Sequence, residues 1–120
     1  EGKVLLLGWS YKAEVGDPRE TPAEPLTDAL QSKDIAVAAY DPHLEAGDFP
    51  EGVEVVTDID SAEGYDMAVL VTAHKACQEI DWAGLASRMR NPILYDGRRV
   101  LDLNSLKNSG WQVYAVGKPV

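Results

Sequence analysis

Near its start the chain reads Lys3-Val4-Leu5-Leu6-Leu7-Gly8, a continuous apolar run that ends at a glycine. An apolar run without alternation is typical of a strand covered on both faces, as in the parallel sheets of α/β proteins. A second run of this kind, Asp66-Met67-Ala68-Val69-Leu70-Val71, lies just past the middle of the chain. Further stretches rich in apolar and β-branched residues predict strands at 35–40, 53–56, 93–95 and 111–116.

Helical patterns lie between these strands. Thr21 can cap a first helix, with Glu24 three residues later and Pro22 at the first helical position. Pro25 complicates this boundary, and the alternative is a regular helix that begins nearer Glu24. We predict a short helix or turn at 58–65 and helices at 80–90 and 102–109. This alternation predicts an α/β fold, a three-layer Rossmann-like domain with a mainly parallel sheet of five to six strands. Because no linker or repeat interrupts it, residues 1–120 are interpreted as a single domain.

The composition excludes several classes of protein. The 120 residues carry a net charge of −9, which repels nucleic acids and anionic membranes, so we expect neither as a partner. No apolar run approaches the roughly 20 residues that span a bilayer. The single cysteine, Cys77, excludes an internal disulfide and fits a reducing, cytoplasmic setting. The chain starts with Glu1 rather than Met, which favours a fragment of a longer protein.

Ligands of open parallel sheets bind outside the carboxyl ends of the strands. The loop after the first strand, residues 8–22, contains Lys12 and Arg19 and is neither a G-x-G-x-x-G turn nor a P-loop. It is rich in side chains, so one interpretation assigns both cations to phosphate groups. The alternative pairs them with acidic neighbours in the same loop, namely Glu14, Asp17 and Glu20.

Two adjacent arginines, Arg98 and Arg99, follow the strand predicted at 93–95. A guanidinium group holds a phosphate or a sugar hydroxyl with defined geometry, and adjacent side chains point in different directions. We therefore expect one of the pair to face a ligand. The alternative is a surface turn with solvated charges.

Other reactive side chains do not form a recognisable site. His74 has no second ligand at helical spacing and His43 lies in a different loop, so we expect a structural or solvent-facing histidine and no metal site. Cys77 has no evident base and is interpreted as a packing residue. A phosphoacceptor site of the receiver type fails, because Gly8-Trp9 and Thr72-Ala73-His74 stand where acidic residues would be needed.

Several segments lie along nearly the whole chain in one order: Gly8-Trp9-Ser10-Tyr11-Lys12, Gly16 to Pro22, Tyr40-Asp41-Pro42, Asp66 to His74, Asp81-Trp82, Asn91-Pro92-Ile93, Asp96 to Asp102, and Gly110-Trp111 with Tyr114 and Gly117. In these segments and in their order the sequence resembles the UDP-glucose/GDP-mannose dehydrogenase family, in its C-terminal, UDP-binding domain. Two positions depart from the pattern. Ala73 stands where many members have glutamate, and Thr21 replaces the commoner serine.

The resemblance implies an NAD-dependent UDP-sugar 6-dehydrogenase that oxidises the sugar C6 alcohol to a uronic acid in two steps, for polysaccharide biosynthesis. In that family an N-terminal domain binds most of the NAD, and a central helical region forms the homo-oligomer and supplies the nucleophilic cysteine. Cys77 does not match that cysteine. The resemblance therefore implies no catalytic residue in this chain, which we expect to be inactive alone.

The resemblance also implies roles for four residues. Tyr11 and Lys12 match the pair that contacts the nucleotide sugar, and Arg98 matches an arginine that reaches the substrate across the domain cleft. Arg19 matches a residue that faces NAD. The expected substrate is a UDP-sugar or a GDP-sugar, with the sugar left open. The alternative is a free-standing, non-catalytic nucleotide-binding or interaction module of the same fold.

Overall fold

A computed structural model describes residues 2–10, 12–16 and 21–115. Its centre is one sheet of six strands in the order β3-β2-β1-β4-β5-β6. The strands are β1 (Lys3–Leu7), β2 (Ala36–Tyr40), β3 (Val53–Val55), β4 (Met67–Leu70), β5 (Ile93–Asp96) and β6 (Gln112–Ala115). Each neighbouring pair is parallel. The prediction of a mainly parallel sheet of five to six strands is confirmed.

Four α-helices join the described strands: α1 (Ala23–Gln31), α2 (Lys75–Gln78), α3 (Trp82–Arg88) and α4 (Leu103–Asn108). Short 3-10 turns lie at Ala46–Asp48 and Ile59–Ser61. Among the described residues, none of the helices combines the length and the apolar composition that a membrane span requires.

Two predicted helices begin at different places from those expected. The helix predicted at 80–90 begins at Trp82, because the Asp81 carboxylate accepts the N–H of Gly84 and caps it there. At α1 the N-cap residue is Pro22, and no side-chain cap forms. Thr21 Oγ1 does accept the N–H of Ala23 at 3.1 Å, but Thr21 lies one residue before the N-cap position at which it was expected.

The sheet is covered on both faces, because successive residues of a strand point to opposite sides. On the α1 face, Val4, Leu6, Val37, Ala39 and Val69 pack with Ala23 and Phe49. On the other face, Leu5, Leu7, Ala38, Leu70 and Leu94 pack with Cys77, Leu85 and Leu106 from α2, α3 and α4. This arrangement confirms the three-layer architecture and explains why both long strands read as uninterrupted apolar runs.

The strand order reverses at the pair β1 and β4, since β2 and β3 lie on one side and β5 and β6 on the other. In parallel sheets this reversal leaves a crevice at the carboxyl ends of the central strands. Three segments meet at that edge. They are the described part of the loop after β1 (residues 8–10, 12–16 and 21–22, the first loop), residues 71–74 after β4, and the turn at the end of β5 (residues 96–101, the Asp96 turn).

Candidate nucleotide-binding edge

The beginning of the first loop is fixed by a buried aspartate at the end of β2. Asp41 Oδ2 accepts the N–H groups of Trp9 and Ser10, both at 2.8 Å, and the Ser10 hydroxyl at 2.7 Å. Its Oδ1 accepts the N–H of His43 at 2.9 Å. Burial raises the pKa of Asp41, but these hydrogen bonds to the ionised form outweigh burial and leave the pKa below its ordinary value. Asp41 is therefore a buried carboxylate that holds the loop.

The end of β4 provides two further anchors for the first loop. Thr72 Oγ1 donates to the Ser10 carbonyl at 2.7 Å. His74 is fully buried, its Nε2 lies 2.9 Å from Asp41 Oδ2, and its Nδ1 lies 2.8 Å from the N–H of Glu14. A backbone N–H can only donate, so Nδ1 is the acceptor and Nε2 carries the proton that is donated to Asp41. This geometry assigns His74 as a neutral imidazole with a defined tautomer.

His43 and His74 belong to different loops, and nothing in the sequence predicts a contact between them, but the structure brings them together. Their rings are 4.4 Å apart, because the first loop is folded against both residues. The Glu14 carboxylate lies 3.5 Å from His43 Nε2 and 3.6 Å from His74 Nδ1, and it accepts the N–H of Lys75 at 2.7 Å. The hydrogen bond from Lys75 is the main cause that lowers the pKa of Glu14, and the two nearby histidines contribute smaller effects in the same direction. His74 is structural, as one of the two expectations stated.

The ligating atoms of Glu14, His43 and His74 all lie within 4.8 Å of one another, which is compatible with a small metal ion. However, the lone pair of His74 Nδ1 already accepts the Glu14 N–H, so a metal ion would have to displace this bond. We therefore assign the three residues to the loop anchor. The prediction that the chain has no metal site stays a prediction.

Close backbone contacts also press the first loop onto its supports. Gly8 has φ = 88°, and a Cβ added there would lie 2.5 Å from Cβ of Thr72. A Cβ added at Gly16 would collide with the carbonyl oxygen of His43. Glu14 adopts the left-handed conformation with φ = 62°, which costs a non-glycine residue about 1 kcal/mol. Such strain persists only where the surroundings over-determine the backbone.

The Asp96 turn is organised around another buried aspartate. Asp96 Oδ1 accepts the N–H groups of Arg98 at 2.9 Å and Arg99 at 2.7 Å. Its Oδ2 accepts those of Val100 at 2.9 Å and Leu101 at 2.8 Å. Asp96 itself is fully buried. The carboxylate therefore sets the backbone of the whole turn, including Arg99 in the left-handed region at φ = 57°.

The two arginines of the turn line different clefts. Arg98 lines an apolar cleft of about 230 Å³ with Pro22 and Leu26, next to the start of α1. Arg99 lines a more polar cleft of about 410 Å³ beside α4, with Asp102 among its walls. The cleft at Arg98 therefore includes Pro22, the last residue before α1, whereas the larger cleft is lined by residues of the Asp96 turn, α4 and β6.

The predicted site residues are placed as follows. Lys12 is exposed between the anchored residues Ser10 and Glu14, and Arg98 is exposed on the Asp96 turn. Both lie at the carboxyl edge of the sheet, on either side of β4, so the ends of their strands are about 10 Å apart. Tyr11 and Arg19 lie outside the described residues.

Comparison with known proteins gives this edge its context. A family model described as the UDP binding domain of the UDP-glucose/GDP-mannose dehydrogenase family matches residues 5–103. The chain belongs to this family. The Rickettsia conorii UDP-glucose 6-dehydrogenase is 28% identical over 98% of the chain, and the Methanocaldococcus jannaschii UDP-N-acetyl-D-mannosamine dehydrogenase is 32% identical over 97%. The chain spans only 28% and 27% of these relatives' lengths.

Solved structures of the dehydrogenase family show the same fold. The Staphylococcus aureus UDP-N-acetyl-mannosamine dehydrogenase superposes with a TM-score of 0.71 at 26% identity, over 96% of this chain and 26% of that one. The Methanosarcina mazei NDP-N-acetyl-D-galactosaminuronic acid dehydrogenase gives a TM-score of 0.80 over 98% of this chain and 25% of its own. At 24% identity the second likeness shows the fold alone.

The sequence analysis missed the residues that anchor the two loops at the carboxyl edge of the sheet. The anchoring roles of Asp41, Thr72, His74 and Asp96 were not predicted, although each follows a strand within a quoted motif. A usable signal existed for the aspartates, since an Asp at a strand end before Pro or Gly often accepts backbone N–H groups a few residues on. Cys77 is confirmed as a packing residue, because it is fully buried and burial raises the pKa of its thiol to about 12.

Proposed function

We propose that this chain is the C-terminal nucleotide-sugar-binding domain of a longer, NAD-dependent UDP-sugar 6-dehydrogenase. In this proposal the longer protein oxidises the C6 alcohol of the sugar to a carboxylate, and this chain holds the nucleotide. The chain's span of about 28% of its relatives' length supports a fragment of a larger enzyme. Relatives that act on UDP-glucose and on UDP-N-acetyl-D-mannosamine support a UDP-sugar but leave the sugar open.

One observation carries the proposal. Two exposed cations, Lys12 and Arg98, extend from backbones that buried side chains fix at the same edge of the sheet. The pyrophosphate of a UDP-sugar is anionic, and an anion is disfavoured near a protein whose net charge is −9 unless cations are placed to meet it. Anchored backbones reduce the entropy lost when these side chains close on the ligand.

The chain's residues would bind and orient the substrate rather than react with it. Lys12 supplies a point charge, and the planar fork of Arg98 holds an oxygen pair with defined geometry. Tyr11 is proposed to contact the same ligand. Holding the nucleotide positions the distant C6 atom against reactive groups in the rest of the enzyme, so binding energy is used for orientation. Cys77 is buried and protonated, which supports its absence from the reaction.

NAD accepts hydride from the substrate carbon when it is bound. The described part of the first loop does not resemble a turn that cradles a dinucleotide, because Trp9 and Ser10 fill the space after β1 with buried side chains. We therefore propose that NAD is held mainly by another domain and that Arg19 faces it from this one. A homo-oligomer of the full-length protein and a cytoplasmic location belong to the same proposal.

A titration of this chain with UDP, followed by calorimetry at low salt, tests the proposal. We expect measurable binding that weakens about tenfold in Lys12→Ala and in Arg98→Ala, because each loses a charge-assisted contact. Lys33→Ala is the matched control, since Lys33 is an exposed cation just before β2, at the opposite edge of the sheet. A parent chain that does not bind UDP, or equal weakening in all variants, contradicts the proposal.

A further inference from the structure

His74 uses both ring nitrogens, and each bond has a different function. Nε2–H supports the buried Asp41 carboxylate, whereas Nδ1 holds the N–H of Glu14 in the first loop. We propose that His74 is a positioning residue for nucleotide binding, which acts through Nδ1 to hold Lys12 at the edge of the sheet. This inference rests on the proposed function of Lys12 and assigns a role to a residue that does not itself reach the ligand.

The first step of the argument is the position of Lys12 between two anchors. On its N-terminal side, the N–H, hydroxyl and carbonyl groups of Ser10 are all bonded to Asp41 or Thr72. On its C-terminal side, the next anchored group is the N–H of Glu14, and that anchor is His74 Nδ1. Loss of the second anchor would remove a backbone hydrogen bond of the segment on the C-terminal side of Lys12. The described contacts that remain there include the Glu14 carboxylate on Lys75 and the packing of Gly16 against His43.

The second step is the backbone strain at Glu14. A left-handed non-glycine residue returns to an ordinary conformation unless its surroundings hold it. The Glu14 N–H bonds to His74, and the Glu14 carboxylate bonds to the N–H of Lys75 and lies 3.5 Å from His43 Nε2. The carboxylate contacts act through an exposed side chain, whereas the bond to the fully buried His74 acts on the backbone N–H itself, so we assign the backbone conformation to that bond.

The third step is that His74 cannot satisfy its nitrogens in another way. Its side chain is fully buried, so neither nitrogen can turn to water. The titratable groups that face it are Asp41 from the end of β2, His43 from the following segment and Glu14 from the first loop. A flipped ring would place a carbon against the Glu14 N–H, and a proton on Nδ1 would place a donor against a donor. The observed tautomer alone fits both partners.

Two conservative substitutions separate the two bonds of His74. In His74→Asn the side-chain oxygen occupies the place of Nδ1 and can accept the Glu14 N–H, while the bond to Asp41 is lost. In His74→Gln the side-chain amide group occupies the place of Nε2 and can donate to Asp41, while the Glu14 N–H is left unpaired. Both variants remove the aromatic ring, and each keeps the bond that the other one loses, so each is the control for the other. His74→Asn is also smaller by one methylene group, which adds to its loss of urea midpoint at this buried position.

The experiment measures three quantities in both variants: hydrogen exchange at the Glu14 amide, affinity for UDP, and the urea midpoint of unfolding. In His74→Gln we expect Glu14 exchange to accelerate at least tenfold and UDP affinity to fall about five- to tenfold, with the smaller loss of urea midpoint. In His74→Asn we expect exchange and affinity within about threefold of the parent and the larger loss of midpoint, because Asp41 loses a charge-assisted bond.

Two outcomes overturn the inference. If affinity falls at least as much in His74→Asn as in His74→Gln, and so follows the loss of urea midpoint, His74 has only a structural role. If Glu14 exchange in His74→Gln equals that of the parent, Nδ1 does not hold the loop. The exchange measurement needs no ligand, so it separates this inference from the proposed function. A parent chain that fails to bind UDP contradicts the proposed function and the nucleotide role of His74, while exchange still tests the bond.

Discussion

The first loop and the Asp96 turn both present a cation at the carboxyl edge of the sheet, but their backbones are held differently. Asp96 accepts N–H groups that follow it by two to five residues. The partners of the first loop lie between 31 and 62 residues away, directly after β2 and after β4. One site is therefore built from a short segment, whereas the other forms only where three strands have come together.

The largest expected effect compares the two aspartates. Asp41→Ala removes an acceptor shared by the first loop, His43 and the buried ring of His74, and we expect it to lower the free energy of unfolding by about 4 kcal/mol. Asp96→Ala leaves four N–H groups in a turn whose outer residues are exposed, so we expect a loss of about 3 kcal/mol. Urea unfolding measures both.

Asp102→Ala is the control for these substitutions, because Asp102 caps α4 at the surface by accepting the N–H of Ser105. Loss of such a cap costs about 1 kcal/mol. If Asp96→Ala destabilised the chain as much as Asp41→Ala did, the proposed difference between the two loops would be wrong. That result would mean that water does not reach the N–H groups of the turn when the carboxylate is removed.

An intermediate effect is expected from Gly16→Ala. The added methyl group collides with the carbonyl oxygen of His43, so the first loop must lift from its support at a cost of about 2 kcal/mol. UDP affinity should fall in parallel, while amide exchange in the Asp96 turn should not change. Gly47→Ala is the control, since nothing lies within 4 Å of a Cβ at that position. Equal effects of the two substitutions would count against a close contact at Gly16.

The smallest effect concerns acid. The pKa of Asp41 is lower in the folded chain than in the unfolded chain, so its ionisation stabilises the fold above the unfolded pKa of about 3.9. That contribution is lost as the pH falls through the folded pKa, with a slope of at most about 1.4 kcal/mol per pH unit. Urea unfolding between pH 2 and 6 should show a shallower acid loss in Asp41→Asn. An unchanged pH profile would show that Asp41 does not contribute.

The sequence allowed all six strands to be predicted, because each is an apolar or alternating stretch that a helix or loop separates from the next. The helix starts were less certain. Within the apolar pattern at 80–90, Asp81 is the N-cap and the helix begins at Trp82. The spacing of apolar residues does not indicate where such a cap forms. Periodicity reports which face is buried, whereas helix boundaries depend on individual hydrogen bonds.

The candidate site could be predicted only where its bonds are local. The anchor of the Asp96 turn was not predicted, but a short motif contains the signal for it, since Asp-Gly at a strand end often forms a turn in which the carboxylate accepts backbone N–H groups. The contact between His43 and His74 could not be predicted, because it depends on how residues 31 positions apart are brought together by the sheet. The pairing of the Glu14 N–H with His74 has the same origin.

The parallel pairing of β1 has a consequence for how the chain responds to a ligand. β1 pairs with β2 across a crossover of about 30 residues and with β4 across one twice as long, so the anchors of the first loop assemble only when distant parts of the chain have met. A ligand that recognises only this assembled edge stabilises the folded state by mass action, by about 2.7 kcal/mol at a hundredfold excess over its Kd. Nucleotide supply would then govern how much of the chain survives proteolysis.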